Sequence, residues 1–395
     1  MRNRILFLEW NSFGNLYIQQ AFRQLHMEID VMKLDTHEIN TRLDSAYTEQ
    51  LVKKIIGSTY YFVFSFNYYP IVAMACKACR VPYVSWTYDS PFIQLYSKTL
   101  GYDTNFAFIF DRGTCANLEE KGYNTYYLPM AAPMDGYKSI LQNKDRGKRF
   151  FGDISFVGSL YNEPAMNMYR HMDGLKDYEK GYVDALIMAQ KNVYGYNFIE
   201  KILSDNPQIV EKIREVCPVQ AQGDGIESVE WTLANYFLSR RVTAIERTEI
   251  MEMLGQRYSV NLYTPGTVDI KGVKNCGKAD YHQEAPHIFA NSKINLNITL
   301  RSIQTGISLR AFDIMGCGGF LLSNYQEDYL ELFEPDEDIV LYYSYEDLLD
   351  KVDFYLKNET ERKRIALNGY QKVITNHTYL QRVETILDIV SEYWG

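Results

Sequence analysis

The stretch TLRSIQTGISLRAFDIMGCGGFLLSN, residues 299–324, carries the strongest structural signal in the sequence. The run INLNIT just before it predicts a strand, SIQTG predicts a turn, and residues 308–317 predict a helix that two glycines separate from a second strand, FLLS. A helix that begins where a strand has just ended exposes free backbone N–H groups, and its dipole favours an anion there. The stretch therefore predicts an α/β domain with an anion site at the turn of Gly306, Ile307 and Ser308.

Charged side chains surround this turn in the sequence. Gly306 would let the backbone approach a phosphate closely, and Arg310, or Arg301 just upstream, could add a charge-assisted contact. Asp313 follows within two helical turns, where a carboxylate could accept hydrogen bonds from a ribose diol. The same residue could instead be a surface aspartate paired with Arg310 three positions earlier, which would contribute little. The residues alone leave both interpretations open.

The bulk composition is that of a folded protein with more than one domain. The chain has 395 residues, 46% hydrophobic and 23% charged, which is too long for a single core and predicts two domains. Its net charge of -9 argues against nucleic acid as a partner, because binding to phosphates depends on basic groups. The apolar run ILFL near the N-terminus predicts a first strand and not a signal peptide, and no run is long enough to span a bilayer. We therefore expect a cytoplasmic protein.

Strand-like and helix-like runs alternate along the chain and predict two α/β domains. In residues 1–150 this βαβα order indicates a parallel sheet with helices on both faces, whose ligands bind at the carboxyl ends of the strands. The order restarts at ISFVGS and is interrupted by a largely helical insertion at about 164–254. The polar segment LQNKDRGKRFFGD, residues 141–153, predicts the boundary. We expect a second domain at 151–375 and a last helix at 376–395 that could cross back to the first domain.

Cysteine and histidine positions give little support for a metal or redox site. Cys76 and Cys79 form a CxxC without a second pair, and the surrounding AMACKAC favours a helix with small buried cysteines. Cys276, His282 and His287 are close in sequence, but histidines five residues apart do not share a helical face. We expect no metal and no cofactor.

Several quoted runs together resemble one family. VNLYTPG, the segment GVKNCGKADYHQEAPHIFANSKINLNIT, TGISLRAFDIMGCGGFLLSN and the last helices are similar to the C-terminal half of CgeB-like spore-maturation proteins, and ILFLEWNSFGN, WTYDSP, IFDR and GYNTYYLP resemble their N-terminal half. This family is related to group 1 glycosyltransferases with a GT-B fold. The resemblance implies two Rossmann-like domains facing each other across a cleft, with a nucleotide sugar, expected to be a UDP-sugar, bound by the C-terminal domain. It also implies a glycan, protein or cell-surface acceptor at the N-terminal domain and a reaction without a metal.

The resemblance also assigns roles to individual residues. The donor helix of the larger group carries two glutamates eight positions apart, which places Thr305 at the first and Asp313 at the second, the ribose ligand. The larger group holds the diphosphate with an arginine and a lysine after the first strand of this domain, whereas this sequence has Gly158 and Ser159, which offer only backbone and hydroxyl donors. Arg301 or Arg310 would then supply the charge. Tyr281 resembles a residue close to the nucleotide base.

Two residues of the N-terminal domain complete the candidate site. Asp89 in VSWTYDSP stands at the predicted carboxyl end of a strand and could act as a general base or hold sugar hydroxyl groups, or it could simply form a turn before Ser-Pro. Gly14 in NSFGN fits a glycine loop that lets acceptor and donor phosphate approach.

Two other functions compete with a glycosyltransferase. The missing arginine and lysine after the first strand of the second domain are compatible with a non-catalytic nucleotide-sugar binder or a spore-surface assembly protein on the same fold. A dinucleotide oxidoreductase is disfavoured because no GxGxxG follows the first strand.

Overall fold

The structure, a computed structural model, describes residues 3–142 and 147–394. Its internal contacts divide the chain into two compact units. The first unit contains the chain up to Ala131, the short segment Gln222–Glu227 and the part from His377 onward. The second unit contains Ala132–Ala221 and Ser228–Asn376.

The first unit is built on a parallel sheet of six strands within the described residues, in the order β2-β1-β3-β4-β5-β6. Its strands are β1 (Arg4–Glu9), β2 (Glu28–Lys33), β3 (Val63–Phe66), β4 (Tyr83–Thr87), β5 (Asn105–Ile109) and β6 (Thr125–Tyr127). Its helices are α1 (Asn15–Gln24), α2 (Ser45–Ile56), α3 (Pro70–Cys79) and α4 (Arg112–Glu120). The strand order reverses between β1 and β3, and in open α/β sheets ligands bind at the carboxyl ends of the strands beside such a reversal.

Local sequence explains where these elements start and why they are buried. β3, β4 and β5 are buried along their whole length, as expected for central parallel strands covered on both faces. α2 begins after Asp44, whose carboxylate accepts a hydrogen bond from the Tyr47 backbone N–H at 2.9 Å, and α3 begins with Pro70, whose missing N–H costs a first turn nothing.

Two later segments of the chain pack within the first unit. Residues 222–227 are held by Asp224, whose carboxylate pairs with Arg42 at 2.7 Å and accepts a hydrogen bond from the Ser97 hydroxyl at 2.7 Å. The last helix, designated α16 (Tyr379–Trp394), packs against α1 and places the ring of Tyr379 5.8 Å from that of Tyr17.

The second unit is built on another parallel sheet, in the order β12-β11-β10-β7-β8-β9 within the described residues. Its strands are β7 (Gly152–Val157), β8 (Val260–Tyr263), β9 (Val273–Asn275), β10 (Ser292–Asn297), β11 (Leu321–Asn324) and β12 (Val340–Tyr342). The order reverses between β7 and β10, which are hydrogen-bonded neighbours. This is the strand order of a dinucleotide-binding Rossmann sheet, whose ligands bind where β7 and β10 end.

Helices cover this sheet and form the insertion between β7 and β8. They are α5 (Met134–Leu141), α6 (Asp177–Lys191), α7 (Ile199–Asp205), α8 (Pro207–Val216), α9 (Val229–Thr232), α10 (Ser239–Gly255), α11 (Ala285–Asn291), α12 (Leu309–Gly316), α13 (Asp328–Leu332), α14 (Tyr345–Lys357) and α15 (Glu359–Asn376). A π-helical segment, Leu233–Leu238, joins α9 to α10. The insertion buries a core of its own around Val183, Ile199 and Ile213.

The predicted fold class is confirmed: both units are α/β with parallel sheets. The change of unit, however, lies between Ala131 and Ala132 and not in the polar segment at 141–153, of which residues 143–146 lie outside the described part. The physical reason is Tyr137 of α5, whose ring is buried and whose hydroxyl donates to Asp313 within the second unit.

The sequence analysis also missed β6 and β9, because strands of three residues show no clear periodicity. No helix in the described residues is both long and apolar enough to cross a membrane.

Candidate functional site

Two arginines meet at the carboxyl ends of β7 and β10 in the second unit. The guanidinium group of Arg310 lies over the ring of Phe156 at 4.9 Å from its centroid, and that of Arg247 lies over the same ring at 5.1 Å. Within the part of the chain that the structure describes, neither arginine forms an ion pair with a carboxylate. Burial and the charge of Arg247 lower the pKa of Arg310 to about 9. An anion bound here would relieve the repulsion between the two cations.

Backbone and amide oxygens hold both guanidinium groups in place. Arg247, only 3% exposed, donates to the carbonyl oxygen of Ser159 at 2.5 Å and to that of Ile298, so it spans the ends of β7 and β10. Arg310 donates to Oδ1 of Asn297 at 3.0 Å, and the Ser308 hydroxyl donates to the same atom at 3.0 Å. The sequence analysis did not find Arg247, because it comes from the helical insertion, 51 residues before Ile298, whose carbonyl oxygen it contacts.

The loop after β7 is shaped to bring Arg310 close to the backbone. A Cβ atom on Gly158 would lie 2.6 Å from Nη2 of Arg310, so glycine permits this approach. The Ser159 hydroxyl donates to Glu163 at 2.7 Å and accepts from the Tyr161 backbone N–H at 2.8 Å. Tyr161 has a φ of 59°, a left-handed conformation that is uncommon outside glycine and clusters at functional sites. Gly158 and Ser159 thus lie beside the two arginines.

Asp313 lies in α12, surrounded by tyrosine hydroxyl groups. It is 2% exposed, and its carboxylate accepts hydrogen bonds from Tyr137 and from Tyr281, the latter at 3.1 and 3.2 Å. Burial raises the pKa of Asp313 to about 7, although both tyrosine donors and the charge of Arg310 oppose this rise. The surface pair with Arg310 that the sequence left open is excluded, because Asp313 is buried and its polar partners are tyrosines.

The predicted anion turn precedes α12. Ser308 occupies the N-cap position, and Arg310 is the second residue of the helix. Gly306 and Ile307 are buried, and the Gly306 carbonyl oxygen accepts from Nε2 of Gln326 at 3.2 Å. Thr305 is partly buried, and its carbonyl oxygen accepts from the Asp328 backbone N–H at 3.1 Å. The turn is therefore well anchored, and its helix starts within one residue of the predicted position.

Arg301 has a different position from the one that the sequence suggested. Its guanidinium group is buried, pairs with the buried Glu246 at 2.9 Å and donates to the carbonyl oxygen of Lys191 at 3.1 Å. It also lies over the ring of Tyr194, 4.0 Å from the centroid. These contacts occupy the side chain inside the second unit, so the cationic group at the turn comes from Arg310 and Arg247 and not from Arg301.

The first unit has its own polar cluster at the carboxyl ends of β3 and β4. Asp89 accepts a hydrogen bond from Nδ2 of Asn67 at 2.7 Å, while Oδ1 of Asn67 accepts from the backbone N–H groups of Tyr88 and Asp89 at 3.1 and 3.3 Å. Asn67 is buried and has a φ of 57°. Desolvation by the surrounding residues raises the pKa of Asp89, and the hydrogen bond from Asn67 opposes this rise. Asn67, which the sequence analysis missed, therefore orients Asp89.

Aromatic rings surround this cluster. Trp10, at the end of β1, stacks on Tyr88 at 6.1 Å with an angle of 14° between the rings, and the Tyr88 hydroxyl donates to Ser12 at 3.0 Å. Gly14 begins α1, and a Cβ atom there would lie 2.6 Å from the ring of Phe66. Gly14 therefore allows α1 to start directly against β3.

The cysteines and histidines that the sequence analysis considered as metal ligands have different surroundings in the structure. His287 is buried and stacks on Phe150 at 6.1 Å, and the Cys276 thiol contacts the Lys274 carbonyl oxygen at 3.5 Å. Burial raises the pKa of Cys76 well above the usual value for a thiol, which leaves it unreactive. Among the described residues, no group of three or more potential ligands is placed to hold a metal ion.

Comparison with known proteins supports the architecture. Residues 241–388 match the family model described as glycosyl transferase-like, a range that includes Arg247, Tyr281, Arg310 and Asp313. No curated protein matches the sequence significantly.

Solved structures match the whole chain at low sequence identity. Anabaena HepE in complex with UDP and glucose has 12% identity and a TM-score of 0.53 and covers 98% of this chain and 99% of its own. Sucrose-phosphate synthase from Thermosynechococcus elongatus has 12% identity, a TM-score of 0.50 and 99% coverage of both chains. Trehalose 6-phosphate synthase from Burkholderia multivorans has 12% identity and a TM-score of 0.53 and covers 99% of this chain and 98% of its own. The protein thus has the two-domain GT-B fold of these glycosyltransferases, and its residues 241–388 are similar to the glycosyl transferase-like family.

Proposed function

We propose that the protein is a glycosyltransferase that transfers a sugar from a nucleotide-sugar donor, a UDP-sugar, to a hydroxyl group of an acceptor. The observation that carries this proposal is the pair Arg247 and Arg310, two cations without a carboxylate partner among the described residues, at the reversal point of a Rossmann sheet. Two such cations suit a diphosphate, because each can donate to phosphate oxygens through a fork of N–H groups. The family match over this region supports the same activity.

The donor would bind along the carboxyl ends of β7 and β10. Its diphosphate would accept hydrogen bonds from the turn of Gly306, Ile307 and Ser308, from the Gly158–Ser159 backbone and from Arg310. Asp313 would accept from the ribose diol, because a carboxylate that already accepts from two tyrosines has lone pairs left for another donor. Tyr281, which contacts Asp313, would lie near the base. UDP as the nucleotide is supported by HepE, which was crystallised with UDP and with UDP-glucose.

The chemical step follows from this placement. When the bond between sugar and donor phosphate breaks, negative charge develops on the departing diphosphate. Arg310 and Arg247 are already oriented by Asn297 and by backbone carbonyl groups, so they would stabilise this charge without reorganisation. We propose that these arginines replace a metal ion, and that the reaction is metal-independent.

Acceptor activation is assigned to the first unit. Asp89 would take the proton of the acceptor hydroxyl group as a general base, held in position by Asn67. The acceptor would be a glycan, a protein or a cell-surface molecule.

Two substitutions relative to the larger glycosyltransferase group are compatible with a second function. Ser159 stands where the larger glycosyltransferase group has arginine, and Thr305 stands where it has the first glutamate. A CgeB-like protein that binds a nucleotide sugar without transferring it, as part of spore-surface assembly, would tolerate both. The pair Arg247 and Arg310, which would meet the diphosphate of the donor, supports the enzyme.

One experiment separates the two functions. Calorimetry with UDP, and with UDP-sugars that differ in the sugar, identifies the donor, since either function requires binding. Release of UDP from the donor that binds is then measured with and without candidate acceptors, in wild type and in Arg310→Gln. Turnover that Arg310→Gln abolishes supports the transferase, tight binding without UDP release supports the binder, and the absence of binding contradicts both.

A further inference from the structure

A cavity of about 470 Å³ opens at the end of the second sheet opposite to the proposed donor site. Phe151, just before β7, Lys293 at the start of β10, and Gly319, just before β11, line one side of it. Arg362 and Ala366 from α15 line the other. Phe151, Lys293 and Gly319 lie at the amino ends of the strands. The proposed donor site lies at the carboxyl ends, so the cavity is a separate place on the same sheet.

Arg362 is the unusual member of this lining. The residue is 6% exposed, and its side chain donates one hydrogen bond, to the carbonyl oxygen of Tyr355. Within the described part of the chain it forms no ion pair with a carboxylate and no other side-chain hydrogen bond. A guanidinium group has five N–H donors, so most of them lack a protein acceptor at the wall of the cavity. These donors are open to the cavity, where an anionic group could accept hydrogen bonds from them.

The other charges of the cavity are already paired. Lys293 forms an ion pair with Asp153 at 2.8 Å, and Lys363 forms one with Glu359 at 2.5 Å. Each of these pairs is neutral, so the charge that remains is that of Arg362. Burial lowers the pKa of Arg362, while the charges of Glu359 and Asp153 favour its charged form. The cavity therefore suits one anionic group.

The remaining lining is apolar and leaves room for a ring. Phe151 is 64% exposed, which is unusual for a large aromatic side chain, and the ammonium group of Lys293 lies 5.8 Å from its centroid. Phe320, Ala290 and Ala366 contribute further apolar or small side chains. A cavity of this size accommodates a compact metabolite, and an exposed aromatic wall beside a charged group is typical of ligand sites.

We propose that this cavity is a second ligand site, which binds a small organic oxyanion, a carboxylate or a phosphate ester, that carries a flat ring. The oxyanion accepts hydrogen bonds from Arg362, and the ring lies against Phe151. This site is independent of the donor nucleotide.

Calorimetry with three probes tests the proposal: phenyl phosphate, benzoate and the neutral phenol. Wild type is measured free and saturated with UDP, and Arg310→Gln is measured alone, so that binding at the donor site is recognised. Arg362→Gln removes the charge, while Ala366→Leu fills the cavity with a good helix former and leaves every charge in place. Thermal unfolding of both variants shows whether they fold, and if Arg362→Gln does not, Ala366→Leu alone decides.

We expect one or both anionic probes to bind with UDP present and in Arg310→Gln, and to lose at least about tenfold in affinity in Arg362→Gln and Ala366→Leu. Binding of phenyl phosphate alone identifies a phosphate site, and binding of both identifies a general oxyanion site. The proposal is overturned if neither anion binds at millimolar concentration, if phenol binds as well as the anions, or if UDP or Arg310→Gln removes the binding.

Discussion

The carboxylate of Asp313 accepts a hydrogen bond from the hydroxyl group of Tyr137, a residue that lies 176 positions earlier in the chain. Tyr137 comes from the first helix of the second unit and Asp313 from the helix that follows the predicted anion turn. Both side chains are buried, and Tyr281 contacts the same carboxylate. The pair couples the start of the second unit to the proposed ribose site, so changes at Asp313 should affect both stability and binding.

Stability should depend on pH through Asp313. Its pKa is raised by burial from 3.8 to about 7 in the folded protein, so the folded state binds more protons than the unfolded state between these values. Stability is therefore lost as pH rises from about 4 to about 7, by at most about 4 kcal/mol. Urea unfolding should show a larger loss of stability between pH 5 and pH 8 in wild type than in Asp313→Asn. The other titrating groups are common to both proteins, so their effects cancel in this comparison. Equal losses in both proteins would contradict the raised pKa.

Asp313 should also contribute to nucleotide affinity through the ribose. Asp313→Ala should weaken UDP binding by about 1–3 kcal/mol, the value of hydrogen bonds to a charged acceptor. Pyrophosphate, which has no ribose, serves as the matched ligand, and its affinity should be unchanged in the variant. Calorimetry with both ligands makes the comparison. An equal loss for UDP and pyrophosphate would place Asp313 away from the ribose.

Substitutions of Arg310 and Arg301 should have different effects on ligand affinity and on stability. Arg310→Gln should weaken UDP and pyrophosphate binding at least tenfold with little loss of stability, because it removes one of two repelling cations. Arg301→Gln is the matched control: it should cost about 3–5 kcal/mol of stability by leaving Glu246 buried without its partner. Thermal unfolding and calorimetry on both variants test this contrast. The reverse pattern would show that Arg301 holds the diphosphate.

Activity should be insensitive to chelators. If Arg247 and Arg310 stabilise the departing diphosphate, turnover with the identified donor should be unchanged in EDTA and should not rise with magnesium or manganese. UDP release measured with and without EDTA gives the answer. Loss of activity that either metal restores would assign the charge stabilisation to a metal ion.

Asp89 should be required for turnover more than for donor binding. Asp89→Asn keeps the shape and the contact with Asn67 but removes the basic carboxylate, so turnover should fall about a hundredfold or more. Calorimetry should show nearly normal affinity for the nucleotide sugar. Asn67→Ala should reduce turnover in the same direction, because it releases Asp89 from its position. Full activity in Asp89→Asn would leave this residue as part of a turn.

The sequence alone determined the α/β class and the strand, turn and helix around Gly306 and Ser308, because these depend on contacts within about twenty residues. Apolar runs, helix-starting signals and glycines are local features, and so the order of most helices and strands could be predicted. Asp313 could be singled out for the same reason, as a carboxylate inside an otherwise apolar helix.

The tertiary structure decided which side chains meet. Arg301 and Arg310 look equivalent in sequence, but packing of the insertion places Glu246 beside Arg301 and leaves Arg310 facing Arg247 over Phe156. Asn67 and Asp89 lie 22 residues apart, and they meet because parallel neighbouring strands end at the same edge of a sheet. Tyr137 lies before the predicted boundary, and its buried ring moves that boundary to Ala132. Contacts between distant segments depend on sheet order and on packing, which local periodicity does not specify.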